Sequence, residues 1–388
     1  MFSARTSRDA SQNPLAIAVA RARAAGLPLL DLTVSNPTVA GIPYDAAAIL
    51  GALSDPRALV YGPEPFGLPS AREVIARDLT TGGVAVDPAH VMLTASTSEA
   101  YGFLFKLLCD PGDEVLVAQP SYPLFELLAA FEGVKLVPYR MAYDGAWHVD
   151  LDSLRRAVTP RTRAVFVVSP NNPTGTYLKR AELRAMVELG LPIVSDEVFA
   201  RYPFGDDGDR VGTVLEAKDG LFFALGGLSK LAALPQMKLA WTAAGGEPTR
   251  VHAALARLEL LADSYLSVGA PVQYALPTLL ATGHVAADAI RARTRRNLTH
   301  LRAQMGAFSP LSLLDVEGGW YATLRVPRTQ TEEAWAIDLV QEHGVYVHPG
   351  QFFGFESEAY LVVSLLTPES DFDAGVEKIL RAVAAAIA

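Results

Sequence analysis

Leu221-Phe222-Phe223-Ala224-Leu225-Gly226-Gly227-Leu228-Ser229-Lys230-Leu231 is an apolar run that passes through two glycines to a serine and a lysine. Consecutive apolar residues closed by glycine read as a strand buried on both faces. A lysine at the mouth of such a strand sits in an apolar setting, where desolvation disfavours the ammonium and lowers its pKa. A neutral amine so placed is a nucleophile that can form a Schiff base with an aldehyde. By itself Lys230 reads more simply as a surface charge beyond a strand end. The rest of the chain reverses that reading.

Upstream, the same arrangement recurs. Val91-Met92-Leu93 precedes Thr94-Ala95-Ser96-Thr97-Ser98-Glu99-Ala100 and a predicted helix at 101–108. Hydroxyl residues at such a junction cap the helix or help its N-terminus bind phosphate, and the sequence leaves both open. Glu114-Val115-Leu116-Val117-Ala118 ends in Gln119-Pro120-Ser121-Tyr122-Pro123, and Ala164-Val165-Phe166-Val167-Val168 leads into Ser169-Pro170-Asn171-Asn172-Pro173-Thr174-Gly175. Leu191-Pro192-Ile193-Val194-Ser195 closes on Asp196. Strands alternating with helices at this spacing predict an α/β fold with a mostly parallel central sheet covered by helices. In such sheets ligands bind beyond the C-terminal ends of the strands. Tyr122, Asn172, Asp196 and Lys230 all follow their strands there, more convergence than core packing requires.

The flanks read differently. Ser35-Asn36-Pro37-Thr38 is a turn, and the Pro- and Gly-rich stretch from Tyr61 to Pro69 is a shaped loop before an amphipathic helix through about Asp78. From Pro248 the pattern turns helical, with helices at 251–263 and 290–305. Strands at 319–326, 344–347 and 360–366 then alternate with helices at 331–343 and 372–387. This predicts three parts: an N-terminal arm at 1–40, a large domain at 41–270, and a smaller α+β domain at 271–388 that packs with the arm. Arg5, Arg8, Arg21 and Arg23 give the arm a faint likeness to a transit peptide, but Asp9 and the strand read at 28–32 favour a structural role.

The 388 residues are 50% hydrophobic and 19% charged, an ordinary soluble composition, and the length suggests about two domains. A net charge of −9 argues against nucleic acid or an anionic membrane as the main partner. Cys109 is the single cysteine, so no intramolecular disulfide forms and a reducing cytoplasm is expected. No apolar run reaches the roughly 18 residues of a membrane span. The seven histidines are scattered without ligand spacing, so no metal site is expected. Neither a P-loop, a nucleotide-binding GxGxxG nor a complete nucleophile elbow is present.

Asn172-Pro173-Thr174-Gly175, Asp196-Glu197-Val198 and Ser229-Lys230, in this order, make the chain resemble the class I/II aminotransferases, pyridoxal 5'-phosphate (PLP) enzymes of fold type I. The resemblance covers nearly the whole chain. It implies that Lys230 carries PLP as a Schiff base and then serves as the proton-moving base. It further implies that Asp196 keeps the pyridine nitrogen protonated, that Asn172 bonds the ring's phenolic oxygen, and that Tyr122 stacks on the ring. Ser96, Thr97, Ser98 and Ser229 would hold the phosphate, with Lys238 where an arginine is usual; a lysine offers charge but no bidentate fork. Tyr61 matches a tyrosine that reaches the neighbouring subunit's phosphate, which implies a homodimer with shared sites. The expected activity exchanges an amino group between an amino acid donor and a 2-oxo acid acceptor.

Two departures fall within that pattern. Phe199 stands where a tyrosine usually bonds the phenolic oxygen. In Tyr360-Leu361-Val362-Val363-Ser364, Val362 occupies the position of the arginine that grips the substrate carboxylate. Backbone N–H groups near Asn36, helped by the Asn172 amide, are the expected substitute; Arg21, Arg23 and Arg325 are the candidate cations, and a donor without an adjacent carboxylate is the third alternative. The missing arginine also admits elimination, decarboxylation or cyclisation by the same cofactor. A PLP-sensing regulator is disfavoured, since only about 27 residues precede the first predicted strand.

Overall fold

The computed structural model describes residues 2–6, 13–80, 83–305, 311–357 and 359–387. Arg8 and Asp9 of the predicted arm lie outside the described residues. The apolar runs form one eight-stranded sheet. In chain order its strands are β1 (Val91–Thr94), β2 (Glu114–Gln119), β3 (Lys135–Tyr143), β4 (Trp147–Val149), β5 (Thr162–Val168), β6 (Ile193–Asp196), β7 (Leu221–Gly227) and β8 (Ala240–Gly246). Across the sheet they run β1-β8-β7-β6-β5-β2-β3-β4. The pairs β2–β3, β2–β5, β5–β6 and β6–β7 are parallel. β8 is antiparallel to both β7 and β1, so β1 points the same way as β7. The C-terminal ends of β1, β2, β5, β6 and β7 therefore share one edge.

Both faces of the middle of this sheet are covered, which is why β2, β5, β6 and β7 read as largely apolar runs. Phe222 and Ala224 of β7 enter one core with Leu183, Met186 and Leu276, whereas Leu221, Phe223 and Leu225 enter another with Phe103, Val251 and Leu258. β3, β4 and β8 are the strands the sequence hid, and β8 is the least strand-like of them. Its Ala-Trp-Thr-Ala-Ala-Gly-Gly composition carries little β propensity, yet it wedges between β1 and β7. The small residues have a reason, because a Cβ on Gly226 of β7 would lie 2.6 Å from Nε1 of Trp241.

A second core surrounds a four-stranded antiparallel sheet in the order Ser312–Leu313, Tyr321–Arg325, Tyr360–Ser364, His348–Pro349. Helices Glu332–Gln341 and Glu369–Ile387 pack on it through Trp335, Leu339, Phe372 and Ile379. The N-terminal helix Pro14–Ala24 joins this core through Leu15, Ala18, Val19 and Ala22, and Leu30–Asp31 pairs in parallel with Val345–Tyr346. The helix expected at 290–305 is in fact Ala270–Met305, 36 residues with Pro277 inside. Its early residues Val272, Ala275, Leu276 and Leu279 belong to the large core, and its late residues Leu298 and Leu301 to the small one. Among the described residues no helix is long and apolar enough to cross a membrane.

Candidate active site

A cavity of about 320 Å³ opens at the shared strand edge, between the large sheet and Tyr321 of the small one. Lys230 reaches it from the one-turn helix Leu228–Leu231 that β7 feeds directly. Its Nζ lies 5.1 Å from the centre of the Trp320 ring and 5.7 Å from that of Phe199. Burial pushes its pKa down, against the opposing pull of the Asp196 charge. That is the state a nucleophilic amine needs.

Asp196 ends β6 and is buried. Its Oδ2 accepts a hydrogen bond from the Tyr101 hydroxyl at 2.8 Å, and its Oδ1 accepts from the Val198 N–H at 3.1 Å. Burial raises its pKa, while Tyr101, the Val198 N–H and Lys230 act the other way. A buried carboxylate so placed is costly unless a positive partner arrives.

Asn172 projects from the loop after β5, and its side-chain oxygen is buried without a partner. The loop itself is fixed by Asn171, whose Nδ2 donates to Pro120 O at 3.1 Å and Thr174 Oγ1 at 3.0 Å. Gly175 has φ +73°, and a Cβ there would lie 2.3 Å from Cγ2 of Val316 and 2.6 Å from Gly318 O. Only glycine lets the small domain approach the Asn172 loop this closely. Tyr122 follows β2 and lines the same cavity.

At one end of the cavity the helix Thr97–Leu108 begins, with Ser96 as its N-cap accepting from the Glu99 N–H at 3.2 Å. Ser96, Thr97, Ser98, Ser229 and Lys238 line that end. The Lys238 backbone is left-handed, with φ 50°. Hydroxyls, free helical N–H groups and a cation together suit a phosphate. The opposite end offers no such charge, since Lys230 and Lys238 are the cations lining the cavity among the described residues.

Asn36, Tyr61 and the candidate arginines do not line this cavity. Asn36 is exposed, and its side-chain oxygen accepts from the Thr38 N–H at 3.0 Å and hydroxyl at 2.7 Å; its neighbour Ser35 lines the cavity instead. Tyr61 is 82% exposed and lines a separate surface cleft. Arg21, Arg23 and Arg325 are exposed and off the cavity, with Arg23 paired to Asp31. Val362 is buried in the small sheet, opposite Thr323 and His348.

The structure also brings in residues the sequence did not flag: Tyr101, Ser35, Trp320 and Tyr321. The Tyr321 hydroxyl bonds Ser35, and burial pushes its pKa to about 12. Gly318-Gly319-Trp320-Tyr321 carries a signal for Trp320 and Tyr321 only, because paired glycines before aromatics mark a close approach.

The donor set suits PLP. There is an amine for the aldehyde, a buried carboxylate awaiting a pyridinium, an amide with unmet bonding capacity, and an anion cradle at the far end. The fold points the same way. An alanine aminotransferase from Pyrococcus furiosus superposes with TM-score 0.88 at 22% identity, covering 99% of this chain and all of that one. An aminotransferase from Escherichia coli superposes at 0.87 and 23%, covering 99% and 98%. By sequence the chain is 31% identical over 304 residues to the arginine–pyruvate transaminase AruH of Pseudomonas aeruginosa, covering 76% of this chain and 75% of that protein. It is 27% identical over 377 residues to the alanine aminotransferase of Mycobacterium tuberculosis, covering 93% and 86%. It is 29% identical over 261 residues to the glutamate–pyruvate aminotransferase AlaA of Escherichia coli, a match spanning 66% of this chain and 64% of that protein. Residues 28–379 match the family described as aminotransferase class I and II. With that match spanning both cores and every element of the cavity, the chain belongs to the class I and II aminotransferases, a PLP-dependent family.

Proposed function

We propose that the chain is a PLP-dependent aminotransferase that exchanges an amino group between an amino acid and a 2-oxo acid, with Lys230 as the covalent anchor and base. The observation that carries this reading is the burial of Lys230 and Asp196 on one cavity whose far end is a hydroxyl-lined helix N-terminus. When bound, PLP supplies the aldehyde that captures an amine and the ring that delocalises the electrons left at Cα. Asp196 holds the pyridine nitrogen protonated, and Asn172 bonds the phenolic oxygen. Ser96, Thr97, Ser98, Ser229 and Lys238 bind the phosphate, and Tyr122 covers the ring face. Neutral Lys230 Nζ takes the proton from the substrate Cα.

The substrate carboxylate meets neutral donors, the Ser35 hydroxyl, the Asn172 amide and nearby backbone N–H groups, rather than an arginine. Its binding is therefore weaker than a bidentate ion pair gives. The working unit is a cytoplasmic homodimer in which exposed Tyr61, beside exposed Leu59 and Val60, enters the partner's site. Pyruvate, named in two of the relatives, is the first acceptor to test.

A half-reaction screen tests the whole reading. PLP-loaded enzyme is mixed with alanine, glutamate, arginine and amines lacking a carboxylate, and conversion of the cofactor absorbance to the pyridoxamine form is followed. Conversion with formation of the matching 2-oxo acid supports transamination. Release of ammonia or carbon dioxide with the cofactor unchanged would replace it with elimination or decarboxylation.

A further inference from the structure

Tyr101 is buried one turn into helix Thr97–Leu108, the same helix whose first residues line the phosphate end of the cavity. Thr97 and Tyr101 lie four residues apart, about 6 Å along the axis. The ring is clamped by Phe125, Phe166 and Phe105, with centroids at 4.9, 5.9 and 6.4 Å. Its hydroxyl donates to Asp196 Oδ2 at 2.8 Å, while the Val198 N–H holds Oδ1 at 3.1 Å. A carboxylate gripped on both oxygens cannot rotate about its Cβ–Cγ bond without losing one of the two donors.

We propose that Tyr101 is a positioning residue, which fixes the plane of the Asp196 carboxylate and favours the ionised form that the pyridine nitrogen requires. A single rigid helix thereby sets the spacing between the phosphate cradle and the group that meets the ring nitrogen. Tyr101 remains a donor throughout, because burial holds its phenol well above the ordinary tyrosine range. The other titratable groups at Asp196 are Lys230, Tyr122 and the adjacent Glu197. None of these occupies the Oδ2 position that Tyr101 fills.

The inference rests on the assignment of Asp196 to the pyridine nitrogen, and the experiment separates the two. Tyr101→Phe keeps the ring in its clamp and removes only the donor. Loss of a hydrogen bond to a charged group should weaken PLP binding to the apoenzyme about tenfold to a hundredfold. It should also move the acid limb of the half-reaction profile up by about one pH unit, because the carboxylate loses a stabilising donor. Asp196→Asn is run in parallel. If Asp196→Asn weakens PLP and Tyr101→Phe leaves both affinity and acid limb unchanged, the role of Tyr101 is overturned and that of Asp196 stands. If neither variant changes PLP affinity, the assignment of Asp196 itself falls. Should Tyr101→Phe fail to fold, fluorotyrosines at position 101 replace it. More acidic phenols donate more strongly and should move the limb down stepwise, and an unmoved limb overturns the proposal.

Discussion

The two ends of the cavity are built on different principles. The cofactor end is crowded with committed polar groups: Asp196 held by two donors, Lys230 buried against two aromatic rings, and a hydroxyl-lined helix start with Lys238. Its parts come from strand ends of one rigid sheet and fit a single molecule. The end that the proposed reading gives to the substrate has Ser35, Tyr321 and the Asn172 amide, with no arginine among the described residues lining the cavity. Val362, which the resemblance sets where a guanidinium is expected, is buried beside Thr323, whose own hydroxyl is buried without a partner. The contrast teaches that cofactor chemistry and substrate choice are separable in this fold. The first is tied to the sheet, whereas the second hangs on the small domain and the turn at Ser35.

Breaking the cofactor end should produce the largest losses. Lys230→Ala removes both nucleophile and base, and turnover should fall by about 10³-fold or more. Borohydride should no longer fix PLP covalently to the chain, and peptide mapping of the wild type should place the label on Lys230. A label on Lys238 would move the anchor to the phosphate end and undo the contrast. Asp196→Asn keeps the shape and deletes the charge. Turnover should fall by about 10²-fold, the cost of removing a positioned charge partner in a buried site. Half-reaction rates near wild type would show that the ring nitrogen does not depend on it.

The same division explains what could be read from the sequence. The parallel strands β2, β5, β6 and β7 were legible because they are buried on both faces, and unbroken apolar runs such as 164–168 admit few other readings; β3, parallel to β2 but partly exposed and mixed in polarity, was not. Residues that follow those strands, Asn172, Asp196 and Lys230, were legible for the same reason. β8 was not, since its alanines and glycines answer to the packing of Trp241 on Gly226 rather than to strand propensity. Tyr101 was hidden inside an ordinary amphipathic helix, because a buried tyrosine in sequence is indistinguishable from core. Tyr321 and Ser35 meet across nearly the full length of the chain, and no local pattern records a contact of that range. At Asn36 the side chain caps the turn at Thr38, and its neighbour Ser35 lines the cavity.

The substrate end is sharpened by restoring the missing cation. A carboxylate held by neutral donors forgoes about 1.5–3 kcal/mol of charged hydrogen bonding, so common α-amino acids should show high KM values in the wild type. Val362→Arg should lower those KM values about tenfold where the new side chain reaches the cavity, with kcat little changed because the gain is in ground-state binding. Steady-state kinetics with alanine and glutamate check it. If Val362→Arg folds and instead raises KM, then the space beside Thr323 already serves the substrate in another way. A bound α-amino acid forked by an existing arginine would end the distinction between the two ends.

The smallest expected change lies where the two ends meet, at Phe199. Its ring packs edge-on to Trp320 with centroids 5.2 Å apart, and it lines the cavity beneath Lys230. If the proposed placement holds, Phe199 would donate nothing to the cofactor's phenolic oxygen, and the charge left there would favour a proton on the Lys230 nitrogen. Phe199→Tyr supplies a donor at that oxygen. Stabilising the phenolate weakens its attraction for the neighbouring proton, so the proton should leave at lower pH. The pKa read from the absorbance of the PLP-loaded enzyme should therefore fall, by about one unit for a hydrogen bond to a charged group. The effect should be confined to the cofactor, leaving the KM for amino acids unchanged. A pKa that rises or stays fixed, in a variant that still binds PLP, would place the Phe199 ring away from the phenolic oxygen and leave Asn172 as that oxygen's donor.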